Sequence, residues 1–124
     1  MDILHKKKLG FEKIHLSKSK IKSDQTATIT VNVKNFKEKV DDISVIVKTE
    51  DASSQYLTIK PPSIRLPSLV FPDSNTGNHE FTINPINIPV HKMIFKITVE
   101  VYTDNAKKLM LNKEFDLTVT KKDH

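Results

Sequence analysis

The sequence predicts an all-β protein, built as an antiparallel β-sandwich of about seven strands. Three observations favour this fold. Apolar and polar residues alternate in several separate segments, turn-forming residues recur between these segments, and helical periodicity is almost absent. The clearest alternation covers residues 25–35. A period of two gives this segment one apolar and one polar face, as a half-buried strand requires.

The first half of the chain contains four predicted strands, at residues 12–17, 25–35, 43–48 and 56–60. Each carries apolar side chains at alternate positions, which we expect to point inward. These side chains are Ile14, Leu16, Ala27, Ile29, Val31, Val33, Ile43, Val45, Val47, Leu57 and Ile59. Ile21 is expected to be buried too. The polar side of the second strand is expected on a solvated sheet face, with Thr26, Thr28, Thr30 and Asn32.

A proline-rich crossover interrupts the alternation between residues 61 and 78. Its prolines, at positions 61, 62, 67 and 72, lack the N–H group that a central strand donates, so no strand is predicted here. Its apolar residues have two interpretations. They plug the open end of the sandwich, or they form an exposed patch that docks a partner. These candidate contact residues are Ile64, Leu66, Leu69, Val70 and Phe71.

Three further strands are predicted at residues 80–84, 93–103 and 109–120. Their inward residues are Phe81, Ile83, Phe95, Ile97, Val99, Val101, Phe115, Leu117 and Val119. The pair Asp104–Asn105 favours a tight turn before the last strand, because both residue types tolerate the left-handed conformation.

Strict alternation in the last predicted strand would place a lysine on the buried face. If Leu109 and Leu111 point inward, Lys113 must do so as well. A β-bulge near residues 112–113 would resolve this conflict, and we predict one there.

The composition of this 124-residue chain fits one domain and excludes several kinds of site. The chain has no cysteine, which excludes disulfides, thiol nucleophiles and cysteine-ligated zinc. No segment is long and apolar enough to predict a membrane-spanning helix, and the first residues do not form an export signal. Location therefore stays open: cytoplasmic from the missing signal, or the cell surface if the chain is a fragment of a larger protein.

The net charge of +5 is concentrated near the N-terminus. Residues 1–22 hold seven lysines and two acidic residues, whereas the remainder holds thirteen basic and thirteen acidic residues. The seven lysines are Lys6, Lys7, Lys8, Lys13, Lys18, Lys20 and Lys22. Arg65 is the sole arginine, which disfavours specific nucleic-acid recognition. We therefore divide the chain into a basic arm (1–11), a sandwich (12–120) and a C-terminal tail (121–124).

Residues 16–35 resemble the first two strands of prokaryotic and archaeal immunoglobulin-like modules of the CARDB-like, cell-adhesion-related class. In these modules a strand that ends in Asn, here Asn35, precedes a charged loop and a valine-rich strand, here residues 40–47. The resemblance continues to about residue 120. At two positions, Phe36 and Asp73, this chain departs from a glycine that family members usually carry.

The resemblance implies an immunoglobulin-like antiparallel sandwich with Greek-key connections. It also implies a non-catalytic spacer or adhesive module, with no catalytic residues to carry over. The residues themselves agree with this expectation. The serines lie in turn clusters without the arrangement of a nucleophile and its base, and the only glycines, Gly10 and Gly77, form no phosphate-binding loop. No enzyme activity and no cofactor are predicted.

Metal binding is a weaker alternative. Loop carboxylates of this kind can bind calcium, but these form no dense array, and we favour ordinary solvated turns. They are Asp41, Asp42, Glu50, Asp51, Asp73 and Asp104. The histidines lack the paired spacing of a zinc site. They are His5, His15, His79, His91 and His124.

Two functional hypotheses follow. The first is a non-catalytic module for protein–protein interaction or structural spacing, with another protein as its partner. The chain would be a monomer, or a weak homo-oligomer formed through edge strands. Ile46 faces outward on the third predicted strand, whose unpaired backbone groups would then accept a partner strand. The second hypothesis is a binder of anionic polymers or membrane surfaces through the seven N-terminal lysines.

Overall fold

A computed structural model of the chain describes residues 9–36, 39–66, 68–103 and 108–122. Nine strands and one 3₁₀ helix, Asp51–Tyr56, are present in these ranges. The strands are β1 (Leu9–Leu16), β2 (Lys20–Lys22), β3 (Ala27–Asn35), β4 (Ile43–Thr49), β5 (Leu57–Lys60), β6 (Ser63–Leu66), β7 (His79–Pro85), β8 (Lys92–Thr103) and β9 (Lys108–Thr120). None of the described residues belongs to a helix that is long and apolar enough to span a membrane.

The strands form two sheets. The first has four strands in the order β1-β3-β7-β5, and the second has five in the order β2-β9-β8-β4-β6. A four-stranded sheet facing the series β9-β8-β4 is the arrangement of an immunoglobulin-type sandwich. All pairings between these strands are antiparallel except β2 with β9, which is parallel. The predicted all-β sandwich is confirmed.

The core forms between the inner faces of the two sheets, as the alternation predicts. Every residue expected to point inward is buried, apart from four that are half-buried and pack against the core. These four are Ile14, Leu16, Ile59 and Phe115. Ile21 is buried as expected, on the short strand β2. Full burial of a side chain such as Phe81 stabilises the fold by about 1.5–3 kcal/mol.

The chain crosses between the sheets on both sides of the sandwich. On one side, three residues link β1 of the first sheet to β2 of the second. On the other side, Pro61 and Pro62 link β5 to β6 in the same way. Each lateral side is therefore spanned by a short connection between the edge strands of the two sheets.

The first strand begins earlier than predicted. β1 starts at Leu9, which is buried and pairs with Asn35. Residues 9–11, which the sequence assigned to the basic arm, therefore belong to the sandwich. A register shift between Phe11 and Lys13 hides this extension from the pattern of alternation.

The crossover contains a strand that the sequence did not predict. β6 pairs with β4 through Ser63 to Leu66 at the edge of the second sheet. The prolines do not interrupt this strand, because Pro61 and Pro62 precede it and Pro67 follows it. Such flanking positions at a sheet edge require no central N–H donor.

The bulge predicted near residues 112–113 of β9 is absent, and the strand has a bulge nearer its start instead. Val101 pairs with Leu111 and Tyr102 with Leu109, which leaves Met110 as the extra residue. Lys113 consequently still lies at an inward position of the strand, opposite Val99. Its side chain is nevertheless exposed, because β2 covers β9 only at residues 118–120 and leaves this part of β9 at the sheet edge among the described residues.

The polar face of β3 is less solvated than predicted. Asn32 is buried, and its Nδ2 donates to Asn78 Oδ1 at 3.1 Å. The cause is the segment before β7, which runs along the end of β3: Thr76 N donates to Val33 O, and Val33 N donates to Thr76 Oγ1, both at 3.0 Å. Thr28 and Thr30 are half-buried, and of these four side chains only Thr26 is exposed.

Candidate interaction surfaces

The candidate contact residues of the crossover divide between the core and the surface. Leu66 and Leu69 are buried, and Leu69 keeps only 5% of its surface exposed. Ile64 is half-buried and packs against the core. Val70 and Phe71, by contrast, are 52% and 71% exposed. The plug interpretation therefore fits the first three residues, and Val70 and Phe71 stay available for a partner.

Asn35 holds the exposed part of the crossover in place. This residue is fully buried at the end of β3. Its Nδ2 donates to the carbonyl oxygens of Leu69, at 3.3 Å, and Phe71, at 3.2 Å. Its backbone N donates to Ser74 O at 2.8 Å, and its carbonyl oxygen accepts from Asp73 N at 2.7 Å. The side chain and the backbone N–H and C=O groups of this one residue thus fix the path of residues 69–74.

Phe36 adds a second exposed aromatic ring at the end of β3. The ring lies against Gly10, where an added Cβ would come within 2.6 Å of a ring carbon. The ammonium group of Lys34 lies 5.7 Å from the ring centroid, in the range of a cation–π contact. The exposed side chains of Phe36, Val70 and Phe71 are called the apolar tip below.

Asp73 explains one of the two departures from the family pattern. Its φ of 62° lies in the left-handed region, where glycine is favoured and Asp is tolerated. Its carboxylate lies 4.0 Å from Lys34 Nζ. The turn after Phe71 therefore keeps a glycine-like backbone without glycine.

Ile46 does not lie on an edge strand, contrary to the prediction. It pairs with Glu100 on one side and Ser63 on the other, because β4 is enclosed by β8 and β6. Its side chain faces outward and is half-buried. The missed strand β6 is the cause of this error. Among the described strands, the edges are β1 and β5 in the first sheet and β2 and β6 in the second.

The predicted N-terminal lysines are partly described. Lys6, Lys7 and Lys8 lie outside the described residues. Lys13 on β1 is exposed, as are Lys18, in the link between the sheets, and the β2 residues Lys20 and Lys22. Because the link is three residues long, the structure brings these four lysines to one lateral side of the sandwich.

The register extends this basic region to lysines that the sequence analysis missed. Lys22 pairs with Thr120, which pairs with Lys92 on β8. Lys20 pairs with Thr118, which pairs with Ile94. Lys96 follows two residues after Ile94 on the same outer face. The outer residues Lys20, Lys22, Lys92, Ile94 and Lys96 are called the basic face below. The spacing Lys92, Ile94, Lys96 was a signal in the sequence, since outward positions of a strand are usually polar.

A hydrogen-bonded network occupies the other end of the same outer face. Glu100 Oε1 accepts from Tyr102 Oη at 3.0 Å and lies 3.0 Å from Lys48 Nζ. The hydrogen bond to Glu100 raises the pKa of Tyr102. The same carboxylate raises the pKa of Lys48 by hydrogen bonding and by its charge.

A polar cavity of about 370 Å³ lies between the start of β9 and the loop before β4. Its lining includes Lys39, Asp41, Thr103 and Lys108. Asp41 is already engaged, because it accepts from Ser68 Oγ at 2.5 Å and lies 3.7 Å from Lys39 Nζ. Two of the charged groups that line the cavity, Lys39 and Asp41, therefore pair with each other.

The carboxylates and histidines weighed as metal ligands do not cluster in the described part of the chain. Within the described ranges, no three His, Asp or Glu side chains lie close enough to hold a metal ion. His79 lies near its own loop, with Nε2 3.1 Å from Thr76 O. His15 and His91 are exposed. Asp104, with the turn predicted there, and the two terminal histidines His5 and His124 lie outside the described residues.

Comparisons with known proteins identify the fold. No protein-family model matches the chain, and a search of curated proteins finds no match. Among solved structures, the periplasmic chaperone SfaE aligns with a TM-score of 0.54 and 14% identity, over 90% of this chain and 58% of that structure. This chain therefore spans little more than half the length of the chaperone.

A second solved structure has nearly the same length as this chain. The CARDB domain of the PF1109 protein from Pyrococcus furiosus, determined in complex with di-metal ions, aligns with a TM-score of 0.53 and 18% identity. The alignment covers 89% of this chain and 91% of that domain. Domains 4 and 5 of the S-layer protein SbsC align with a TM-score of 0.44 and 15% identity, over 93% and 54%. The topology of the two sheets and the likeness to the chaperone and the CARDB domain show an immunoglobulin-like β-sandwich fold, and the predicted likeness to the CARDB class is confirmed at the level of the fold.

Proposed function

We propose that the chain is a non-catalytic immunoglobulin-like module that docks another protein through the apolar tip. The carrying observation is the anchoring of the Phe71 backbone by Asn35, since a fully buried side chain holds the carbonyl group of the residue that bears the exposed ring. A loop backbone that is fixed before binding loses little conformational freedom in a complex. Aromatic residues also contribute most often to the energetic centres of protein interfaces.

The placement of the tip supports the same function. Phe36 follows β3 and the segment around Phe71 follows β6, so two chain segments supply the exposed apolar groups. Loops on a rigid scaffold are the usual position of binding residues. As a spacer, the same module would need no apolar side chain at this tip.

Site-specific photo-cross-linking in the source cells tests this proposal. A photoreactive phenylalanine analogue is placed at Phe71 and, as a matched control, at the exposed Gln55 of the 3₁₀ helix. We expect one discrete adduct from position 71, lost when Phe36 and Val70 are changed to Ser, and none from position 55. Equal adducts from both positions, or none from position 71, would contradict docking at the tip and favour a spacer.

Self-association through edge strands is a further proposal within this function. Residues 108–117 of β9 pair only with β8 among the described residues, which leaves a long sheet edge. We expect a monomer at low concentration and weak dimers at high concentration in sedimentation equilibrium. Replacing Asn112 by Pro at this edge should abolish the dimers, because proline cannot donate to an added strand.

A second candidate function is binding to anionic polymers or membrane surfaces through the N-terminal lysines. The observation that favours it is the alignment of Lys13, Lys18, Lys20 and Lys22 along one lateral side. Binding to DNA or acidic vesicles should fall steeply with salt concentration. Removal of Lys6, Lys7 and Lys8 together with Lys13→Gln and Lys18→Gln should weaken it, and unchanged binding would contradict this candidate.

A further inference from the structure

We propose that the basic face docks on a bilayer that contains anionic lipids, with Ile94 entering the interface between headgroups and acyl chains. The proposal shares Lys20 and Lys22 with the second candidate function and rests on it only to that extent. Its other residues lie on β8, at the centre of the second sheet.

The first support is the geometry around Ile94. Lys92 and Lys96 flank it along β8, each about 7 Å away, because alternate strand residues are separated by that distance. Lys20 lies across Thr118, about 10 Å away at the usual spacing of strands. An exposed aliphatic side chain therefore has lysines on three sides.

The second support concerns the ion pairing of the lysines in the basic face. None of the four lysines of the basic face forms an ion pair with another described residue, whereas Lys34, Lys39, Lys48 and Lys122 do. Asp24, near Lys22, is engaged by Lys122 at 2.8 Å. The acidic side chains on the outer face of β8 and β9 lie toward the other end of these strands. Asp116 stands opposite Lys96, and Glu114 and Glu100 follow. The charge therefore changes sign along the strands, which would orient the domain with the Lys22 and Lys92 end on an anionic surface.

The third support distinguishes lipid from other anionic partners. Ile94 is 60% exposed, and Ile86 and Val90 are exposed in the connection that leads into β8. Aliphatic groups gain free energy by leaving water for the acyl boundary. A phosphate or sulfate polymer offers them no comparable environment, and the basic face has no aromatic ring on which bases would stack. Lysine stems can also lie along the interface while the ammonium groups reach the headgroups.

Vesicle sedimentation tests the proposal with the full chain. Vesicles of phosphatidylcholine with phosphatidylglycerol are compared with vesicles of phosphatidylcholine alone, at low and at physiological salt. We expect binding only to the anionic vesicles. The pair Lys20→Gln and Lys92→Gln should weaken it by about fivefold for each charge removed. Ile94→Ser should weaken it roughly tenfold without changing the salt dependence.

Matched controls exist at the other end of the molecule. Leu109→Ser removes another exposed aliphatic side chain, and the pair Lys60→Gln and Lys113→Gln removes two exposed charges outside the basic face. Both controls should bind like the unchanged chain. Thermal unfolding of each variant confirms that it is folded, which is expected because all these side chains are exposed.

Two results would overturn the proposal. One is an Ile94→Ser variant that binds anionic vesicles as tightly as the unchanged chain. The other is binding to DNA or heparin that equals binding to vesicles and is insensitive to Ile94→Ser, since this identifies a site for polyanions. Loss of binding on Lys13→Gln and Lys18→Gln, with Ile94→Ser unaffected, would support the second candidate function and contradict the basic face.

Discussion

The amide nitrogen of Asn35 donates a hydrogen bond of 3.2 Å to the carbonyl oxygen of Phe71. The donor is fully buried and the ring of the acceptor residue is largely exposed. This contact connects the core to the apolar tip, so a change inside the domain alters what its surface presents.

Replacing Asn35 by Ala should destabilise the domain by about 1–3 kcal/mol, because the carbonyl groups of Leu69 and Phe71 lose a buried donor. Urea unfolding measures the loss. Asn112→Ala, at an exposed position of β9, is the control and should change stability by less than about 0.5 kcal/mol. Equal stability of the two variants would show that the Asn35 contacts do not hold the crossover.

Leu69 and Phe71 should respond in opposite ways to truncation. Leu69→Ala creates a cavity in the core and should cost about 2–5 kcal/mol of unfolding free energy. Phe71→Ala removes an exposed ring and should cost less than about 0.5 kcal/mol. Thermal or urea unfolding distinguishes them. A large loss of stability in Phe71→Ala would place this ring in the core and contradict the proposed docking tip.

The effect of Gly10→Ala should depend on Phe36. In the unchanged chain, the added Cβ collides with the Phe36 ring and should destabilise the domain. In a Phe36→Ala background the collision disappears, and the same substitution should be neutral or stabilise by about 0.5 kcal/mol, since glycine weakens a strand. A double-mutant cycle measures the coupling. Additive effects would show that the ring does not lie over Gly10 in solution.

Tyr102 should titrate above its ordinary pKa because its hydroxyl is bonded to Glu100. The chain has two tyrosines, so Tyr56→Phe isolates the absorbance of Tyr102 during an alkaline titration. Glu100→Gln should lower the pKa of Tyr102, and Glu114→Gln, at an exposed position of β9, should not change it. An unchanged titration in Glu100→Gln would contradict the bond.

The same network should make the free energy of unfolding fall as the pH rises in the alkaline range. The folded-state pKa values of Tyr102 and Lys48 are both raised. Their contribution is therefore complete below the unfolded-state pKa of each group, roughly 10, and is lost as the pH rises through the higher folded-state values. Urea unfolding across alkaline pH should show a smaller loss in Glu100→Gln, which lacks the charge that raises both pKa values.

The long core strands were predictable because successive residues of a strand point to opposite faces, so a buried face requires apolar residues at every second position. In β3 and β8 the inward positions are apolar except for the last residue of each strand, Asn35 and Thr103, and any shift by one residue would bury further polar groups. The short strands escape this rule. β2 has three residues and contributes only Ile21 to the core, so no alternation marks it.

The errors arose where long-range pairing overrides local preference. The prolines around β6 mark a break in the chain, but they cannot show that the residues between them complete an edge. That omission made Ile46 seem available to a partner strand. Likewise, the burial of Asn32 depends on Thr76 and Asn78, which lie more than forty residues away along the chain.

The surfaces were only partly predictable for a related reason. The exposed end of the crossover depends on Asn35, and the sequence alone does not show whether Leu69 or Phe71 enters the core. The basic face depends on the register of three strands, since Lys20 and Ile94 are far apart in sequence and become neighbours of Thr118 only in the sheet.

The parallel pairing of β2 with β9 gives the domain a mechanical directionality. Lys20, Ile21 and Lys22 pair in order with residues 118–120. When β2 and β9 are pulled in opposite directions along their length, all three rungs are sheared together. An antiparallel hairpin pulled at its open end instead yields one rung at a time. Tension transmitted between these two strands is therefore resisted by all three rungs at once.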